Sequence, residues 1–339
     1  MLASRVLAML ALLALPLARA LAARQDSLRD PDTLGYPLLS PEVSEGDVTL
    51  LFSNSPETPR ESGLLYRDEV RGRARVVAYH ANGLGQGARL LIFARSLTAA
   101  PTTLTTLRRG SAVTSAPDPV IGQQTLLRFF ASAPLAPRTP GPGEQVLYSS
   151  GPLAPGAVVS VMLDLEASAP ALISVVLLGA DERQDEAALA HLPALAPDAN
   201  HQRGTFEGAD KTLRVQLADL PARLVLGAGS DPPLRGTDAL TGAPQQLLGN
   251  YGALYDLVVS GARGSLLACS PRGGAYRGAM RVEDGPRSSL ILLGRGRALK
   301  DPASPAPLWR TSGEILRAQF VPANGSNLPV AFVFYPKGR

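Results

Sequence analysis

The residues of this chain best suited to acid, base or metal chemistry are its three histidines, His80, His191 and His201. None stands in His-x-x-x-His or His-Glu-x-x-His spacing, so a metal site would have to be assembled from distant positions. Asp181, Asp185 and Glu186 lie close to His191 in sequence, but the solvated face of a helix accounts for them. A serine hydrolase of the elbow type needs Gly-x-Ser-x-Gly, and that pattern does not occur. Gly83-Leu84-Gly85-Gln86-Gly87 resembles a phosphate loop only superficially, because a strand rather than a helix is expected to follow it and no Gly-Lys-Ser/Thr exists in the chain. Paired acids for glycoside hydrolysis would need carboxyl groups about 5 to 10 Å apart in space, which spacing in the sequence does not reveal. The reading therefore assigns no catalytic residue, no metal ligand and no cofactor.

Residues suited to binding are easier to name. Asn54 sits in Phe52-Ser53-Asn54-Ser55-Pro56-Glu57, where Asn and Ser can bond their own backbone and Pro fixes φ, so a rigid turn at a strand end is expected. In Asn250-Tyr251-Gly252-Ala253-Leu254-Tyr255-Asp256-Leu257, period-two alternation puts Tyr251 and Tyr255 on one strand face and Asp256 on the other. A tyrosine pair beside Asn and Asp can grip a sugar ring by stacking and hydrogen bonds; cross-strand packing is the plain alternative. Arg277 is expected to pair with a carboxylate such as Asp256 or Glu283. A carbohydrate-binding module would expose Tyr251, Tyr255 or Tyr276 on one sheet face, and burial of all three would exclude it.

The elements that would position these residues are mostly strands. The chain has 33 Gly and 30 Pro spread along its length, which leaves little room for long helices, and short apolar or β-branched runs recur between turn signals. Strands are expected at 48–53, 72–80, 88–97, 102–109, 124–131, 144–149, 157–165 and 171–179. Asn82-Gly83 suggests a tight hairpin making 72–80 and 88–97 neighbours. One short helix is expected at 187–192, with acids before it and Pro193 after it. A second strand-rich region follows from 201, with strands at 203–207, 211–218, 222–227, 252–260, 263–270, 275–283, 288–294, 314–320 and 328–335. The fold expected is all-β: two β-sandwich-like domains, 46–180 and 201–339, joined by a helix and linker at 181–200.

Ahead of them, residues 1–22 read as a signal peptide. Arg5 is followed by an apolar run from Val6 to Leu17, and Ala20-Leu21-Ala22 offers a cleavage site. A spanning helix needs about 20 apolar residues; this run is shorter and contains Pro16. The expected location is the periplasm, cell surface or extracellular space, with no transmembrane segment after cleavage. Residues 23–45, polar and proline-broken, form an expected N-terminal arm. Cleavage would remove Arg5 and Arg19 and bring the formal charge from +4 to about +2, which gives nucleic acid little to be attracted by. The single cysteine, Cys269, cannot form an intramolecular disulfide and lies in an apolar run, as a buried structural thiol would.

The segments Phe52 to Glu57, Gly249 to Leu257 and Tyr276-Arg277-Gly278-Ala279-Met280-Arg281-Val282, together with Ala78-Tyr79-His80 and Leu90-Leu91-Ile92-Phe93-Ala94, resemble in kind and order a family of exported bacterial proteins catalogued as domain of unknown function 3370. The likeness runs along most of the chain, with 110–150 and 295–325 least supported. It implies export and a whole-chain architecture, and it brings no catalytic residues because the family has no established activity. Together these readings favour a non-enzymatic role in cell-envelope structure or in binding an envelope protein or glycan. The rivals are an envelope hydrolase acting on polysaccharide or peptidoglycan, and a carbohydrate-binding module.

Overall fold

The structure is a computed structural model and describes residues 28–99, 102–139, 145–182, 189 and 192–338. The expected signal peptide, the first residues of the arm and residues 187, 188, 190 and 191 of the helix expected at 187–192 lie outside the described residues. No helix among the described residues is long and apolar enough to cross a membrane.

The chain is all-β with sandwich-like sheets. Before residue 200 it forms β1 (Glu42–Glu45), β2 (Thr49–Ser53), β3 (Gly63–Ala81), β4 (Ala88–Ser96), β5 (Leu104–Thr114), helix α1 (Val120–Ala131), β6 (Gln145–Ser149) and β7 (Val158–Gly179). After it come β8 (Arg203–Phe206), β9 (Asp210–Gln216), β10 (Ala222–Leu226), β11 (Leu234–Asp238), β12 (Ala243–Leu247), β13 (Leu254–Ser260) and β14 (Leu266–Pro271). The last five are β15 (Gly278–Asp284), β16 (Arg287–Leu293), β17 (Ala306–Arg310), β18 (Ile315–Phe320) and β19 (Val330–Tyr335).

Three sheets result. A nine-stranded sheet runs β12-β11-β8-β2-β3-β7-β4-β6, with β5 also on β7. Its spine is the long antiparallel pair β3 and β7. The first half of β7 carries β5 and the second half carries β4 on the same edge. Odd-numbered residues of both halves, such as Val161 and Val175, enter one core with Val76 of β3 and Ile92 of β4. That core takes nothing from the other two sheets, so the sheet covers its own inner face by curling. The six-stranded sheet β1-β9-β13-β18-β15-β16 and the four-stranded sheet β10-β19-β14-β17 share a second core, which α1 and the back of β2 and β3 also join. Cys269 is buried in it, and burial pushes its thiol up to about 12, as an inert packing residue.

Strands from both sides of residues 181–200 share the nine-stranded sheet, because β8 pairs with β2. The arm is docked as well: β1 pairs with β9, and Asp30 accepts hydrogen bonds from the Tyr36 and Tyr335 hydroxyls.

Two local expectations are corrected. Residues 124–131, expected as a strand, belong to α1: Ile121, Gly122, Thr125, Leu126, Phe129 and Phe130 are buried at helical spacing, and Asp118 Oδ1 accepts the Val120 N–H at 2.7 Å. The aromatic pair and Leu-Leu give a strand-like run only when read without the glycine and glutamines before it. Residues 72–80 and 88–97 are not neighbours, because β7 lies between β3 and β4. Asn82 holds a wider corner, accepting the Leu84 N–H and donating from Nδ2 to the carbonyls of Gln86 and Leu153.

Gly110 of β5 is where α1 rests on the sheet. A Cβ there would meet the backbone of Thr125 and lie 2.6 Å from Phe129 N. Gly110→Ala is expected to destabilise the protein by roughly 1 to 3 kcal/mol through overpacking. Urea unfolding measures it, and a cost near zero would mean that the helix is not seated this closely.

Candidate functional site

The turn after β2 is built as its residue types suggest, and more tightly. Ser53 Oγ lies 2.9 Å from His80 Nε2, and His80 Nδ1 lies 2.9 Å from the Pro56 carbonyl. A carbonyl only accepts, so Nδ1 carries the proton and Nε2 accepts from the Ser53 hydroxyl. His80 is fully buried and neutral, and burial lowers it to about 4. Ser55 Oγ accepts the Asp198 N–H at 2.9 Å, while Asp198 Oδ2 accepts the Glu57 N–H at 2.8 Å. The turn is thus tied to the segment before β8.

A second loop faces it. Gly249 and Gly252 have φ of 78° and 86°, and Asn250 between them has φ of 51°, a left-handed conformation that Asn tolerates better than most side chains. The buried Asn250 amide accepts from Leu234 N–H and donates to the Pro232 carbonyl and to the Tyr255 hydroxyl. This frame aims Tyr251 at a third loop, where its hydroxyl donates to the Ser326 carbonyl at 2.7 Å. Ser326 is also held from behind, since its hydroxyl accepts the Arg277 N–H and donates to the Arg277 carbonyl.

Between the three loops lies a cleft of about 490 Å³. Its walls carry five carboxamides, Asn54, Asn200, Gln202, Asn324 and Asn327, with Glu57, His201, Tyr79 and Tyr251. Pro117, Phe52 and Leu248 give apolar contact. A carboxamide offers two donors and two acceptor lone pairs, so these walls suit a ligand that both donates and accepts. Asn54 Oδ1 is buried in the wall without a hydrogen-bond partner.

One side of the cleft carries a charge array. His201 Nε2 lies 3.0 Å from Glu57 Oε2, and His201 Nδ1 lies 2.9 Å from Asp198 Oδ1. Burial raises the Glu57 carboxyl above its ordinary value; His201 opposes this and Asp198 adds to it. For Asp198, burial acts upward but is outweighed by the N–H groups of Glu57, Asn200 and His201 and by the imidazole, which together hold it below its ordinary value. Among the described residues no group of three or more His, Cys, Asp or Glu could hold a metal ion.

Of the residues singled out in the sequence, Asn54 and Tyr251 meet in this cleft and Arg277 supports it from behind. Arg277 does not pair with Asp256 or Glu283: its guanidinium lies 3.6 Å from Asp118, because the turn before β15 points it toward the loop preceding α1. Tyr255 and Tyr276 are fully buried, and Tyr251, half-buried on the cleft wall, is the one of the three tyrosines with exposed surface. Tyr255 donates to Asp231 at 2.6 Å and packs at 6.2 Å from Phe320. Asp256 lies elsewhere, in a shallow pocket of about 140 Å³ with Arg281, Glu283 and Arg317, where burial raises its carboxyl while Arg317 opposes. Glu57, Asp198, His201 and the 324–327 loop were missed as site residues. The readable signal was Asn324-Gly325-Ser326-Asn327, a polar turn as dense as the one at 53–57.

No family model matches the chain. No curated protein matches it either. Solved structures that it resembles weakly include the CUB1-EGF-CUB2 domain of human MASP-1/3, at 10% identity over 86% of this chain and 99% of that one, with a TM-score of 0.16. Another is the N-terminal CBM22-1-CBM22-2 tandem domain of Xyn10C from Paenibacillus barcinonensis, at 11% identity over 87% of this chain and 92% of that one, with a TM-score of 0.16. At that score neither likeness bears on this chain's site or ligand.

Proposed function

We propose that this is an exported, β-rich binding protein of the cell envelope, and that the cleft between the 53–57, 249–252 and 324–327 loops takes a neutral, hydroxyl-rich ligand, the end or a short stretch of a glycan. The observation that carries the reading is the set of five carboxamides on the walls of one cleft. Sugar hydroxyls donate and accept at once, as carboxamides do, whereas a charged ligand would call for unpaired charges on the walls. Glu57 is engaged with His201 and so is not such a charge. Export rests on the signal-peptide pattern of residues 1–22, and membership of the family of domain of unknown function 3370 rests on the motifs quoted for it, of which Phe52 to Glu57 and Gly249 to Leu257 contribute Phe52, Asn54, Glu57 and Tyr251 to this cleft.

Titration calorimetry of the purified protein against chito-, cello- and malto-oligosaccharides tests the reading. At least one series should bind saturably. The double variant Asn200→Ala/Gln202→Ala, which removes side chains with no structural hydrogen bond across the cleft, should weaken that binding at least about ten-fold, given that net hydrogen bonds contribute roughly 0.5 to 1.5 kcal/mol each. Its melting temperature should be unchanged. Equal affinity of the variant would place the sugar elsewhere.

A second reading is hydrolysis of the bound glycan. It is favoured by one observation: the Glu57 carboxyl lies on the cleft wall, 3.0 Å from His201, and burial raises it above its ordinary value, as a proton donor requires. In that case Glu57 is the proton donor, and Glu57→Gln abolishes turnover of the bound oligosaccharide while leaving its affinity in place.

A further inference from the structure

The curled nine-stranded sheet does not close. Among the described residues β5 and β6 are edge strands that face each other across a slot without pairing, since β5 bonds only to β7 among the strands and β6 only to β4. The slot, of about 430 Å³, opens toward the inner core. Its β5 edge is not free to take up another strand. The Arg109 N–H is donated to Ser132 Oγ, the Ser111 carbonyl accepts from the Arg128 guanidinium, and the Thr106 carbonyl accepts the Leu135 N–H. What the slot offers is therefore side chains.

Those side chains divide into two kinds. Leu135, Leu147 and Leu163 form an apolar floor, Leu163 itself belonging to the inner core. Arg109 and Arg128 stand at the mouth with the hydroxyls of Ser111 and Tyr148. Among the described residues no Asp or Glu lines the slot, and neither guanidinium is paired with a carboxylate. Two permanently charged forks lining one slot, with no counter-ion among the described residues, suit a carboxylate or phosphate, which each can hold bidentately. The volume falls in the range of small-molecule sites, about 300 to 1,000 Å³.

We infer that this slot is a second binding site, for an anionic amphiphile whose carboxylate or phosphate head is held by Arg109 and Arg128 and whose apolar chain lies on Leu135, Leu147 and Leu163. The site shares no residue with the glycan cleft and stands independently of that reading.

The test is calorimetric titration of the purified protein with dodecanoate and with dodecyl phosphate, both below their micelle concentrations, against dodecyl maltoside as the uncharged chain and inorganic phosphate as the bare head. Saturable one-to-one binding of dodecanoate, dodecyl phosphate or both is expected, and the stronger of the two identifies the head. Arg109→Gln/Arg128→Gln should weaken it at least about ten-fold, as loss of charge-assisted bonds implies, and Leu147→Ala should weaken it with charge intact. Both arginines are exposed, so the double variant should stay folded and lose no more stability than the single Arg128–Ser111 bond contributes, roughly 0.5 to 1.5 kcal/mol. Dodecyl maltoside binding as tightly as the anions would overturn the inference. So would inorganic phosphate matching dodecyl phosphate, an unaffected double variant, or no binding of either anion.

Discussion

Replacing Arg75 by Met is expected to cost about 3 to 5 kcal/mol of stability, the usual consequence of removing one partner of a buried ion pair. Arg75 is fully buried on β3. Its Nε and Nη2 reach the two oxygens of Asp164, its cross-strand partner on β7, at 2.7 and 3.2 Å. Its Nη1 reaches Asp210 of β9 at 2.7 Å and the Gly252 carbonyl at 3.2 Å. One guanidinium thus ties the nine-stranded sheet to the six-stranded sheet and to the loop that presents Tyr251. Burial acts against its charge, but Asp164 and Asp210 outweigh that and push its pKa upward, so it stays ionised. Phe129 of α1 covers the cluster, with its ring centroid 5.8 Å from Arg75 and 4.8 Å from Arg108, which also pairs with Asp164. Met fills similar volume but leaves the half-buried Asp210 with Arg73 at 3.7 Å and Asp164 with Arg108. Urea unfolding should show the loss, and Arg75→Lys should fall between variant and wild type because a point charge cannot span both carboxylates. A cost under about 1 kcal/mol, typical of a surface pair, would contradict a buried tie between sheets.

Acid should destabilise the protein through His80. The folded value is about 4 and the ordinary value 6.5, the lowering being caused by burial. The unfolded chain takes up a proton below about pH 6.5 while the folded one resists it, so this contribution is fully present above pH 6.5 and is lost as the pH falls toward 4. By linkage the whole loss is roughly 3 kcal/mol, of which about 2 should be gone by pH 5. Comparing urea unfolding at pH 7 and pH 5 in the wild type and in His80→Gln isolates this residue from the carboxyls that titrate in the same range. The variant should lose the difference, and identical pH dependence in the two proteins would mean that His80 is not buried neutral. Because Ser53 and Pro56 are the partners of His80, the same acid window should loosen the turn that carries Asn54.

How far the sequence revealed this depends on where each residue's reason lies. Strands with an apolar run bounded by turn residues, such as β10, β14 and β19, were legible because burial is written into period and composition. The short β11, β12 and β17 were not, since Leu-Arg-Gly-Thr-Asp, Ala-Pro-Gln-Gln-Leu and Ala-Pro-Leu-Trp-Arg are held in place by their neighbours rather than by their own propensity. β7 was read as two strands because Pro170 interrupts it; the sheet takes the proline in the stretch where β7 passes from β5 to β4. Asn54 and Tyr251 were legible as site residues because dense turn chemistry shows locally. Glu57, Asp198 and His201 were not, because only the pairing of β2 with β8 brings residues 141 and 144 positions beyond Glu57 against it.

The measurement that bears most directly on the proposed function is the wild-type protein titrated with the neutral oligosaccharide series while backbone amide shifts are followed by NMR. The account predicts saturable shifts gathered at 54–57, 200–202, 249–252 and 324–327, with the slot at 106–111 and 147–149 unmoved. Shifts confined to other surfaces, or none with any oligosaccharide, would contradict it.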